Sequence, residues 1–378
     1  MNYFRYQEYL EAYGLGRKLF AGYVLVSLGM LLAAAGGSWD ITNHLLNKPE
    51  TFFAPPHAIL YSGVASAVVG TVLVFSASKS GGAGATDRMI WPAKLVIVGV
   101  VMLISAAPVD FGWHSAFGLD GLLSPPHFVL VSGMVIGSVG ALAGLAQSTK
   151  RLPSVLIVIA ILPIWLAASG MIDMFSLPFS ETEHFNFNPH PTLGVTVATL
   201  AFPFLISACL IGSSALAGKR FGVLSMAGAA FIIIGVLTSI IPNSALTPTI
   251  PFYITSIIPI VAADALLAFS RSRFSLYAAG TIVSIAFFML YYPLITYTYN
   301  EVFESKVVWP SLIAQIYFEM IQNVFPLVAI PTAAMGILGA LLIDRLARNK
   351  KIAITTYNNW RNNNTANTQT HHYFKRGG

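Results

Sequence analysis

Apolar runs of about twenty residues, separated by short polar stretches, recur ten times along the chain. They lie near 19–39, 57–77, 91–109, 127–147, 153–172, 191–217, 222–241, 251–269, 274–295 and 323–343. A bilayer core about 30 Å thick needs roughly 20 apolar residues of helix, so each run reads as a membrane-spanning helix. The fold class that follows is all-α: a polytopic integral membrane protein. The first run follows Arg17 and Lys18 and ends near Ala33-Ala34-Ala35, in the manner of a secretory signal. Its length suits a span, and Asp and His residues begin at its C-terminal end, so it is read as a retained helix.

The polar stretches alternate in charge. Arg17/Lys18, Lys79/Arg88/Lys94, Lys150/Arg151, Lys219/Arg220, Arg271/Arg273 and Arg345/Arg348/Lys350/Lys351 fall on one side. The other side holds only Lys48 and Lys306. The positive-inside rule places both termini in the cytoplasm of a multi-pass cell-membrane protein. The expected organisation is a cytoplasmic segment 1–18, a transmembrane domain 19–350 and a polar, disordered cytoplasmic tail 351–378 rich in Asn and Thr.

Composition agrees. The 378 residues are 56% hydrophobic and 10% charged, against about 25% charged in a soluble domain. The net charge of +6 arises from short loops, so the expected partner is the lipid bilayer and not nucleic acid. Cys209 is the only cysteine, which excludes a disulfide framework and a thiolate metal site.

Against this apolar background, two stretches superimpose in their polar residues. Asp40, His44, Glu50, Pro55, Pro56 and His57 have the mutual offsets of Asp110, His114, Asp120, Pro125, Pro126 and His127. A third, weaker copy keeps Asp173, Glu183, Pro189 and His190, with Leu177 in the place of the middle His. Of eight His, only His371 and His372 in the tail lie outside these units. The match continues into the next helix, where His57-x2-Leu60-x-Ser62-Gly63-x6-Gly70 parallels His127-x2-Leu130-x-Ser132-Gly133-x6-Gly140. Each unit is thus a helical hairpin, over 19–77, 91–147 and 153–217, with its ligand-type residues at the outer loop.

The spacing has chemical consequences. Asp and His four apart on a helix share one face, a turn apart. Pro56 suits a first helical turn, so His57 can point back at the preceding helix. An Asp-His-His triad results at one depth. Imidazole with carboxylate and no thiolate suits copper, zinc, nickel or non-haem iron. Glu50 and Asp120 offer a fourth ligand or an acceptor that orients a His. In the third unit Asp173, Glu183 and His190 remain, with His184 available for the missing His. A haem held by His57 and His127 would explain the His residues but not the carboxylates. Asp264, in the eighth run, and Glu319, in the outer loop near 296–322 before the tenth, read as interfacial residues or as parts of an ion path. Tyr61 lies one turn past His57 and reads as core packing or a contact to the site.

The first unit resembles the copper-binding segment of the C subunit of the membrane copper monooxygenases, the particulate methane and ammonia monooxygenases. The run Glu50-Thr51-Phe52-Phe53-Ala54-Pro55-Pro56-His57 is similar to that family's Asp-Thr-x-Phe-x-Pro-x-His. The second unit keeps the triad but has Gly121 and Leu123 for Thr and Phe. The resemblance covers about 18 residues per unit. It implies that Asp40, His44 and His57, and by repetition Asp110, His114 and His127, are copper ligands. It also implies an O2-dependent oxidation of a small substrate together with other membrane subunits. Zinc or non-haem iron suits the same donors. Copper or zinc transport and a non-catalytic accessory role are the competing expectations.

Overall fold

The computed structural model describes residues 15–45, 53–80, 87–118, 122–149, 152–177, 189–240, 242–270, 272, 274–294, 297 and 309–348. The tail from 351 and the first fourteen residues lie outside them, as do Glu50, Asp120, Glu183 and His184.

Among the described residues, ten helices are long and apolar enough to cross a membrane. We label them α1 (Leu15–Leu45), α2 (Pro55–Ser80), α3 (Asp87–Phe117), α4 (Pro125–Ser148), α5 (Ser154–Ser176) and α6 (Pro191–Leu216). The rest are α7 (Val223–Ile240), α8 (Leu246–Phe269), α9 (Phe274–Leu294) and α10 (Ser311–Arg348). No strand occurs among the described residues. The protein is therefore an all-α, multi-pass membrane protein.

Sequential helices pair as hairpins, and α1 sits at the centre, touching α2, α4, α5 and α7. The first two hairpins close in the same way. A Cβ added at Gly29 would stand 2.5 Å from the Gly63 carbonyl oxygen, and one at Gly99 would stand 2.6 Å from that of Gly133. Gly99 and Gly133 are the second-copy counterparts of Gly29 and Gly63. The duplication thus extends to helix-on-helix packing, where only glycine lets the backbones approach this closely. Deeper in the bundle, Trp165 stacks on Phe231 with ring centroids 4.0 Å apart, and Phe287 stacks on Tyr291 at 5.0 Å.

Three helices differ from the hydropathy reading. The helices α1 and α3 run past their apolar windows to Leu45 and Phe117 and carry the Asp and His residues on regular helix. More substantially, α10 begins at Ser311 and spans 38 residues, about 57 Å at 1.5 Å per residue. Residues up to 322 had read as part of an outer loop. Their packing explains the difference: Ile313, Ile316 and Tyr317 join a satellite cluster with Leu246, Tyr253 and Leu294. The Tyr317 hydroxyl also donates to the Leu290 carbonyl at 2.6 Å. Tertiary burial extends the helix where hydropathy alone is weak.

Asp264 proves to be a structural anchor. It is fully buried in α8, and its Oδ2 accepts from the Gly222 and Ser225 backbone N–H groups, each at 2.9 Å, and from the Ser225 hydroxyl at 2.7 Å. Gly222 occupies the N-cap of α7 with φ +96° and has no side chain to offer. A neighbouring helix therefore supplies the cap. Glu319 is exposed on α10 and accepts from the Gln315 side-chain amide at 3.1 Å.

Candidate metal centre

The site lies at the end of the bundle where α1, α3, α5 and α7 finish and α2, α4 and α8 begin. Arg17, Lys18, Lys79, Lys94, Lys219, Arg220, Arg345 and Arg348 occupy the opposite helix ends. Local sequence builds each half of a unit. The inbound helix carries Asp110 and His114 one turn apart near its C-terminus. Helix α4 then starts on Pro125-Pro126, where missing N–H groups cost nothing. The Ser124 side chain caps it by accepting from the His127 N–H at 3.4 Å. His127, the third residue of α4, is buried and turned toward α3.

The three side chains converge. Asp110 Oδ1 lies 3.2 Å from His127 Nε2 and 3.6 Å from His114 Nε2. One ligand atom from each of Asp110, His114 and His127 lies within 4.8 Å of the others. A first-row metal sits about 2.0–2.2 Å from such atoms, so separations of this size suit a shared ion. The orientation of His114 fits too. Its Nδ1 is 3.1 Å from the Gly118 carbonyl oxygen, an acceptor only, so Nδ1 is the donor in this contact and Nε2 is the ring nitrogen turned toward Asp110. A metal-binding His usually donates its other N–H in this way. Gly118 makes the contact possible: at φ +77° it ends α3 just past Phe117 and turns its carbonyl back to the ring.

The first unit repeats the pairing. Asp40 Oδ1 is 2.9 Å from His57 Nε2, and the His57 ring stacks on Tyr61 at 5.9 Å. His44 continues α1, and its side chain lies outside the described residues. In the third unit, Asp173 holds the position of Asp40 and Asp110 near the end of α5. Leu177 is buried where the middle His would be, against Leu122 and Met174. His190 is exposed and serves as the N-cap of α6, its Nδ1 accepting from the Thr192 N–H at 3.3 Å.

All three units face one cavity of about 350 Å³. Asp40, His57, Asp110, His114, His127 and Asp173 line it, and no Lys or Arg does so among the described residues. Tyr61 also lines it, so this residue belongs to the site as well as to the packing. The far wall comes from helices without any His: Phe231, Gly235 and Ser239 of α7, Tyr253 of α8 and Tyr291 of α9. Sequence reading had no signal for these, because Tyr and Ser in apolar helices are ordinary core residues. A hydrogen bond of 3.0 Å between the Ser38 and Thr238 hydroxyls ties α7 to α1 beside this wall.

The geometry establishes a polytopic membrane protein with a His/Asp group able to hold a metal ion. Three carboxylates share a chamber that no Lys or Arg lines among the described residues. Each stands near the C-terminal end of a helix, where the helix dipole adds partial negative charge. Such a chamber favours cations. No family model, curated protein or solved structure matches this chain.

Proposed function

We propose that this is a copper protein of the membrane, with Asp-His-His sites that serve an O2-dependent oxidation of a small substrate. This is the activity implied by the resemblance of its first unit to the copper monooxygenase C subunit. The observation that carries the reading is the convergence of Asp110, His114 and His127 within 4.8 Å on a cavity wall. Asp40, His57 and His44 form the second ligand set. By the positive-inside rule the chamber opens at the extracytoplasmic face, and both termini are cytoplasmic. Bound copper would supply one-electron redox chemistry with O2, given electrons from a donor such as a quinol and the help of other membrane subunits.

The chain's own groups provide the setting. The Gly118 carbonyl fixes the His114 ring. Leu122, Leu130, Val131 and Met134 line the cavity and limit water. The carboxylates draw the cation in. A transport role would need a ligand path to the opposite end, and the described residues offer none. Asp264 is committed to capping α7, and Glu319 faces outward.

The reading is tested by anaerobic reduction of the full chain purified in detergent with its copper. Adding a reduced quinol should bleach the Cu(II) paramagnetic resonance signal, and admitting O2 should restore it. Sites filled with zinc, or copper that neither bleaches nor recovers, would contradict it.

A further inference from the structure

The third hairpin has lost the middle His, and its His190 caps a helix instead. Its carboxylate, however, has stayed. Asp173 lines the same cavity as Asp40 and Asp110, at the corresponding place on its inbound helix. Its Oδ1 is buried and has no hydrogen-bond partner among the described residues. A buried polar atom without a partner destabilises the fold, and a charged one more so. Asp173 also stands in the last turn of α5, where the helix dipole disfavours negative charge. Among the described residues no Lys or Arg lines the chamber to offset these costs.

We propose that Asp173 is a metal ligand in its own right: the third repeat contributes a carboxylate to a divalent first-row cation held in the shared chamber. The inference rests on the copper reading above and deepens it. The chamber then draws ligands from all three hairpins, α1/α2, α3/α4 and α5. Leu177, in place of the middle His, leaves Asp173 without a neighbouring imidazole on its own helix. Among the described residues, the imidazoles that line the chamber with Asp173 are His57, His114 and His127, so its cation would be shared with the first or second unit; the ligand atoms already within 4.8 Å of one another are those of Asp110, His114 and His127.

The test uses Cu(II) as the probe on the full-length protein in detergent, with Asp173→Asn, Asp173→Glu and His127→Ala. Asp173→Asn keeps the shape and breaks no hydrogen bond seen in the structure. It should weaken Cu(II) binding roughly tenfold or more and alter the paramagnetic resonance spectrum. Asp173→Glu should recover most of the affinity. If Asp173→Asn does not fold, Asp173→Glu decides: a shifted spectrum supports ligation, and a wild-type spectrum overturns it. Wild-type affinity and spectrum in Asp173→Asn, with copper lost in His127→Ala, would overturn this inference and leave the proposed function standing. A wild-type protein that binds no Cu(II) would overturn both.

Discussion

Replacing His114 and His127 together by Ala is expected to lower copper affinity by more than about 100-fold. Removing a group that merely orients a ligand already costs 10–100-fold at well-characterised sites. This pair would supply both imidazoles of the second unit, leaving Asp110 alone of the converging triad. His114 points its Nε2 at Asp110 from one turn along the same helix, and His127 approaches from the next helix at 3.2 Å. The loss should leave the fold intact, because both rings line the chamber and α4 keeps its Ser124 cap. Metal analysis of the purified variant, beside its thermal unfolding curve, checks both statements. Undiminished copper in a folded double variant would place the metal elsewhere.

The largest expected effect on stability lies at the other end of the bundle. Asp264→Ala strips the cap from α7 and leaves the Gly222 and Ser225 N–H groups and the Ser225 hydroxyl without their acceptor. Each buried donor left unsatisfied costs about 1–3 kcal/mol, so the total loss should be about 3 kcal/mol or more. Asp264→Asn keeps one acceptor oxygen and should cost less. Thermal unfolding in detergent measures both. Copper content below the lowered unfolding temperature should match the wild type, since the chamber lies among the opposite helix ends. An Asp264→Asn protein of wild-type stability whose quinol-driven reduction nevertheless failed would return Asp264 to an ion path.

Much of this arrangement was legible in the chain because it depends on periodicity. Ten apolar runs became ten helices, and the Asp-x3-His spacing became a turn of helix bearing Asp110 and His114. The Pro-Pro-His run became a helix start that aims His127 back at Asp110. What escaped reading was tertiary. Asp264 looked like an isolated acid, because the donors it satisfies lie about forty residues away in sequence. The ambiguity of Tyr61 needed the cavity to resolve it. The outer part of α10 looked like a loop because Ile313 and Tyr317 gain their burial from distant helices. His190 matched the repeat in sequence, yet α6 begins one residue after it and takes its ring as a cap. The chamber's far wall could not be inferred at all, since Phe231, Gly235, Ser239, Tyr253 and Tyr291 are residue types that mark no site in an apolar helix.

The central claim is that the chamber holds copper on imidazole and carboxylate ligands. Metal content together with paramagnetic resonance on protein purified from its native membrane tests this most directly. The account predicts about one to two copper ions per chain and a Cu(II) spectrum with nitrogen couplings from His ligands. A protein free of copper, or copper whose spectrum lacks nitrogen couplings, would contradict it.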